Sequence, residues 1–253
     1  MFVVEGAKLL DCALDAGAEI EAVFVGSDDS GGAPALAEAV GRARDRGIRI
    51  YELGPGVVEK VADTVTPQPL LAVVRTPQAT LDDLAAATFV VVCVDVRDPG
   101  NAGAVIRSAH AAGADAVVCC AGTVDPFNPK TVRASAGSVL RLPVVTDPDA
   151  TEVLDTLQGR GLHCLAAVAH GGTPYTEVDL VAPLALVLGN EASGLPTEIA
   201  DRLGPGVTIP MAGGAESLNV SMAAAVLSFE VRRARAGGPH GTPVTAVPSD
   251  DDD

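Results

Sequence analysis

Three short stretches of this chain place chemically able side chains at matching points. In "VRDPGNAGAVIRSAHAAGA", Val96 to Ala114, a strand end runs through a Pro-Gly turn into a helical pattern carrying Asn101 and Arg107. In "LALVLGNEASGLP", Leu184 to Pro196, a buried-strand pattern ends in Gly189, Asn190 and Glu191, with Gly194 beyond. In "GVTIPMAGGAESLNVSMAAAV", a strand and a glycine pair lead to Ser217, Leu218 and Asn219. Amides and hydroxyls orient a reacting group through hydrogen bonds, a carboxylate accepts a proton or fixes a cation, and a guanidinium, always protonated, grips an anion. Taken singly, each residue has an ordinary reading: a helix cap for Asn101, Ser217 and Asn219, a solvated helix charge for Arg107, a helix-start acid for Glu191. The repeated design of strand end, flexible turn and polar first helical turn argues for a ligand edge, because open α/β sheets bind ligands at the carboxyl ends of their strands. The stretch Ala215 to Arg233 reads as one amphipathic helix, with Ser217 and Asn219 in its capping turn.

Elements must hold these loops in one sheet. From Phe2 to about Arg75, the strand-like runs "AVFVG", "IRIYEL" and "LLAVV" alternate with helical patterns, which predicts a small α/β layer. Residues 76–88 are polar and Pro-containing and read as a linker ending in a short helix. Then "FVVVCVDV", "DAVVCC", "LRLPVV", "HCLAAVA", "LALVLG" and "GVTIPM" alternate with helices over residues 89–236, the pattern of a mainly parallel, doubly wound sheet. Residues 237–253, "GPHGTPVTAVPSDDDD" after a glycine, are Gly-, Pro- and acid-rich without apolar periodicity and are expected to be disordered.

Composition narrows the classes. At 253 residues and 48% hydrophobic content, the chain has enough apolar material for a real core. No apolar run is long enough to span a bilayer and "MFVVEGAKLL" has no signal-peptide features, so a cytoplasmic protein is expected. The net charge of −16 excludes a generic basic nucleic-acid binder; Asp250 to Asp253 supply part of it, but the remainder is still acidic. Aromatic residues make up 3% with no Trp, which disfavours a stacking platform for single strands. Cys12, Cys93, Cys119, Cys120 and Cys164 lie in apolar runs without ligand spacing, and the histidines form no HxxxH pattern, so reduced core thiols and no metal are expected. A nicotinamide-dependent Rossmann enzyme is disfavoured: the first loop lacks a full G-x-G-x-x-G, and no acidic residue ends the next strand, "VVCCAG".

The ordered triple "DPGNAGAVIRSA", "LVLGNEASGLP" and "IPMAGGAESLNVSMAAAV", with "DPFNPKTVRASAGSVLRLPV" between the first two, resembles the SpoU (TrmH) family of RNA 2′-O-ribose methyltransferases in the SPOUT superfamily. The start, "FVVEGAKLLDCAL", resembles the family's N-terminal substrate-binding domain, similar to the ribosomal L30e fold. The resemblance implies an α/β domain whose C-terminal part forms a deep trefoil knot, a topology that general chain-threading rules would exclude. It implies S-adenosyl-L-methionine as cofactor, held by Leu188, Gly189, Ile209, Met211 and Leu218. It implies methyl transfer to a ribose 2′-hydroxyl by Asn101, Arg107, Glu191, Ser217 and Asn219, with the arginine proposed in the family as general base. Because a guanidinium is effectively always protonated, the physical expectation is that Arg107 grips the target phosphate, Asn101, Ser217 and Asn219 order the loops and hydroxyl, and Glu191 fixes the arginine or loop geometry or accepts a proton.

RNA contact is expected at Lys130, Arg133, Ser135 and Arg141, with a second basic patch at Arg42, Arg44, Arg46 and Arg49. The resemblance also implies a homodimer through the knotted domain. Ribosomal RNA, 23S first, stands ahead of transfer RNA as substrate, and housekeeping and antibiotic-resistance roles both stay open. A catalytically idle RNA-binding or assembly factor is the alternative; the acidic charge favours it and retention of all five polar positions opposes it. Family chains often carry a basic segment ahead of the "F.VEG" strand, whereas this one opens Met1-Phe2, from which weaker RNA binding is expected.

Overall fold

The computed structural model describes residues 1–27, 34–62 and 66–237. Most of the segment expected to be disordered, 237–253, therefore lies outside the described residues. The first unit contains β1 (Phe2–Glu5), α1 (Ala7–Asp15), β2 (Ile20–Gly26), α2 (Pro34–Asp45), β3 (Ile50–Leu53), α3 (Val58–Val61) and β4 (Leu70–Val74). Its sheet has the order β1-β4-β2-β3, with β4 antiparallel to both neighbours and β2 parallel to β3. Alternation along β1 turns Phe2 and Val4 inward onto α1, whose Leu10 and Leu14 are buried.

Residues 76–88 are docked rather than loose. Thr80 and Asp83 form a capping box around a single 3-10 turn, Leu81–Leu84, and Arg160 donates to the Leu81 carbonyl.

The second unit contains β5 (Phe89–Cys93), α4 (Pro99–Ala112), β6 (Ala116–Cys119), α5 (Pro129–Ala134), β7 (Val144–Thr146), α6 (Ala150–Gly159), β8 (His163–Ala166), β9 (Thr173–Pro174), β10 (Leu184–Leu188), α7 (Thr197–Leu203), β11 (Val207–Thr208) and α8 (Val220–Arg235). Five strands form an all-parallel sheet in the order β7-β6-β5-β10-β8. Both faces are covered, which explains the unbroken apolar runs. Phe89, Val91 and Cys93 face Val105 and Ile106 of α4 and Leu227 of α8; Val90 and Val92 face Val153 and Leu157 of α6 and Ile199 of α7. The expected strand "GVTIPM" is a correction. Only Val207 and Thr208 are extended, and they pair with β9 outside the main sheet.

The two units share one apolar core running from Phe2, Val4 and Leu10 to Phe89 and Ile106. The rings of Phe2 and Phe127 lie 5.0 Å apart at the junction. Gly137 is required there: its φ is +86°, and a Cβ would fall 2.8 Å from the Cys12 sulfur and 2.9 Å from the Cys12 Cβ. Left-handed strain and overpacking together make Gly137→Ala cost about 2–4 kcal/mol. Thermal denaturation should show a lowered Tm, with Cys12→Ala in the same chain recovering part of the loss; an unchanged Tm would show that the junction is looser than this packing indicates.

Candidate active site

The strand order reverses between β5 and β10, since the chain runs outward from β5 through β6 to β7 and then to the other side. Loops leaving the carboxyl ends of β5 and β10 therefore diverge and leave a crevice. All three sequence-selected stretches meet there.

The first loop is fixed by capping. The Asp98 carboxylate accepts from the Asn101 backbone N–H at 2.8 Å, Pro99 occupies the first helical turn, and Gly113 closes α4 in the left-handed region. Gly103 admits α5: a Cβ there would meet the Thr131 carbonyl oxygen at 2.5 Å.

The second loop turns back tightly after β10. A Cβ on Gly189 would fall 2.5 Å from the Leu195 backbone nitrogen. Glu191 sits exposed on that turn.

The third stretch differs from expectation. The helix begins at Val220, so Ser217 lies in the preceding loop and caps nothing. Asn219 is the cap: its Oδ1 accepts from the Ser221 N–H at 2.8 Å and the Ser221 hydroxyl at 2.7 Å. Its amide nitrogen remains for other work and donates to Asn101 Oδ1 at 3.0 Å. Asn101 Nδ2 donates in turn to Glu191 Oε1 at 2.8 Å. One polar relay, Asn219 to Asn101 to Glu191, thus ties together loops separated by about a hundred residues in sequence.

Beside the relay lies a cavity of about 360 Å³, within the usual range of small-ligand sites. Leu188, Gly189, Ile209, Met211 and Leu218, the residues expected to hold cofactor, all line it, as do Glu191 and Ser217. Asn101 and Asn219 stand outside its wall. Residues 167–170, after β8, also line it and were not singled out from sequence, since their signal is only an adjoining strand end. Arg107 is exposed and has no hydrogen-bond or ion-pair partner among the described residues. It lies six residues beyond Asn101, about 9 Å along α4 and about 120° around it, so it does not join the relay within one chain.

Two thiols at this edge are held in their protonated form. A hydrogen bond with Cys119, together with burial, pushes the Cys93 thiol well up, and burial raises Cys120 to about 12. Among the described residues no cluster of His, Cys, Asp and Glu could hold a metal ion.

The basic positions divide. Lys130 is exposed, its Nζ 3.9 Å from Asp98 at the site. Arg133 and Arg141 reach back to the first unit, to Glu5 at 3.6 Å and Asp15 at 3.4 Å. Ser135 is buried, its hydroxyl donating to the Val132 carbonyl at 2.7 Å, and is not presented to a ligand. In the second patch Arg42 bonds Asp11 and Asp15, Arg46 the Leu14 carbonyl and Arg49 Glu21, leaving Arg44 exposed.

Residues 88–229 match the SpoU rRNA Methylase family model, and residues 1–72 match an MRM3-like substrate binding domain. The chain is 35% identical over 231 residues to the 23S rRNA (guanosine(2553)-2′-O)-methyltransferase RlmP of Bacillus subtilis, covering 91% of this chain and 88% of that one. The SpoU methyltransferase AviRb of Streptomyces viridochromogenes, solved with AdoMet, superposes with a TM-score of 0.82 at 29% identity, over 94% of this chain and 91% of that one. An AdoMet-bound rRNA methyltransferase of Sinorhizobium meliloti gives 0.78 at 32% identity, over 92% and 87%. With the match spanning the whole parallel sheet and every loop of the relay, this chain belongs to the SpoU rRNA methylase family.

Proposed function

We propose that this protein transfers the methyl group of S-adenosyl-L-methionine to a ribose 2′-hydroxyl of ribosomal RNA, 23S RNA first, in the cytoplasm. The observation that carries the reading is the Asn219–Asn101–Glu191 relay set against the wall of the Leu188–Leu218 cavity. The residues fit the cofactor: apolar Leu188, Ile209 and Leu218 suit an adenine face, Gly189 brings backbone close, and the carboxylates of Glu191 and Glu216 complement a cationic ligand. When bound, S-adenosylmethionine supplies an electrophilic methyl on its sulfonium.

The chain's own residues do the rest by positioning. Asn219 and Asn101 fix the direction of the relay, and Ser217 lines the cavity beside it. Glu191, held at one oxygen by Asn101, keeps the other for a proton or a cation. Arg107 and Lys130 take RNA phosphate, a role for which a permanently charged guanidinium is suited and a base is not. Residues 1–75 serve as the substrate-binding unit, 76–88 as linker and 89–236 as the catalytic unit.

We further read the molecule as a homodimer sharing this edge. Met222, Val226 and Phe229 are 60%, 39% and 48% exposed at helical spacing on α8, which packs along α4, the helix that carries the unpartnered Arg107. Sedimentation equilibrium showing a monomer at micromolar concentration would overturn this. The trefoil knot belongs to the same reading; it is supported by Val207 pairing with Ala167 and β9 before α8 returns onto α4.

The test is transfer of labelled methyl into ribosomal RNA, assembled ribosomal particles and transfer RNA. Alkali-resistant label at one ribose of 23S RNA is expected. Label confined to transfer RNA would move the substrate, and cofactor binding without transfer to any of these would leave an idle RNA-binding factor.

A further inference from the structure

Asn190, which lines the cavity between Gly189 and Glu191, makes more hydrogen bonds than any residue of the relay. Its Oδ1 accepts from the Ala192 N–H at 2.9 Å, the Ser193 N–H at 3.1 Å and the Ser193 hydroxyl at 3.2 Å. Its main-chain N–H and carbonyl pair with the carbonyl and N–H of Gly194, both at 2.9 Å, closing the turn that carries Glu191. The amide nitrogen points the other way and donates to the Asp95 carbonyl at 2.9 Å. Asp95 lies between β5 and α4 in the left-handed region, φ +58°, with its carboxylate on Arg97 at 2.7 Å.

A side chain at this position must therefore accept at one end and donate at the other. Aspartate would keep the acceptor and set a second oxygen against the Asp95 carbonyl; alanine would release both ends.

We propose that Asn190 is a positioning residue with two separable halves. The acceptor end shapes the cavity wall at residues 189–194, and the donor end locks that wall to the loop before α4, so that Glu191 meets Asn101. The proposal rests on the methyl-transfer reading for its catalytic consequence, but its structural half is read by cofactor affinity alone.

The experiment compares wild type, Asn190→Asp and Asn190→Ala by calorimetric S-adenosylmethionine binding and by kcat for RNA methylation. Asn190→Asp is expected to bind the cofactor within about threefold of wild type and lose kcat by about tenfold or more; Asn190→Ala is expected to lose about tenfold or more in both. Because a fold defect alone would lower kcat and the calorimetric stoichiometry together and leave Kd unchanged, kcat is expressed per cofactor-binding site counted in the same titration. Wild-type-like affinity in Asn190→Ala, or equal loss of affinity in both variants, overturns the assignment. So does an undiminished kcat in Asn190→Asp beside an active wild type. If wild type itself methylates nothing, the methyl-transfer reading fails, while the affinity contrast still decides the two halves. Should Asn190→Ala not fold, Asn190→Ser, too short to reach Asp95, takes its place.

Discussion

Asn101→Asp is expected to leave the protein folded and able to bind S-adenosylmethionine within about threefold, yet to lower kcat/KM for RNA by about a hundredfold or more. The substitution keeps shape and volume, and the cap of α4 survives because Asp98 bonds the backbone of residue 101 rather than its side chain. What changes is direction. Asn101 accepts from Asn219 and donates to Glu191, and an aspartate can do only the first. Two carboxylates would then face each other at hydrogen-bond distance, driving Glu191 out of place or into its protonated form. Asn101 does not line the cavity and Glu191 is the one relay residue that does, so the loss of affinity is confined to about threefold. Equal losses in cofactor affinity and kcat/KM would mean that the relay acts on the cavity wall through Glu191 rather than on methyl transfer.

Gly189→Ala should show the opposite pattern. Its methyl group would press on the backbone of Gly194 and Leu195, where no rotamer change can give way, and the turn must open toward the cavity. Overpacking of this kind costs about 1–3 kcal/mol, which in cofactor affinity is roughly a fivefold to 150-fold loss. Calorimetry with S-adenosylmethionine measures it directly, with thermal denaturation as the check on folding. Unchanged affinity would exclude this turn from the binding wall.

Much of this arrangement is legible in the sequence because its signals are local. β-Branched runs such as Phe89–Cys93 and Leu184–Leu188 mark strands covered on both faces, and the polar residues that follow them mark the loops at the edge. The resemblance to a known family added what periodicity cannot carry, including apolar Ile209 and Leu218 as cavity residues. Long-range pairing was not legible. Nothing near Arg133 or Arg141 in sequence indicates that Glu5 and Asp15 take up their charge, so both read as free cations until the first unit is placed beside them. Ser217 reads as part of a helical turn because Ala215 to Arg233 fits a helical pattern; the Asn219 cap sets the boundary, and two glycines with φ of 80° and 77° precede it. The tie from Asn190 to Asp95 crosses 95 residues and leaves no periodic trace.

The junction between the two sheets has one more implication. Phe2 against Phe127, Arg133 on Glu5 and Gly137 under Cys12 pack the N-terminal sheet onto the second unit as one body with a shared core. If, as proposed, the first unit holds RNA and the second reacts with it, such a body would work as a caliper: RNA would be selected by the span between its anchoring surface and its target ribose.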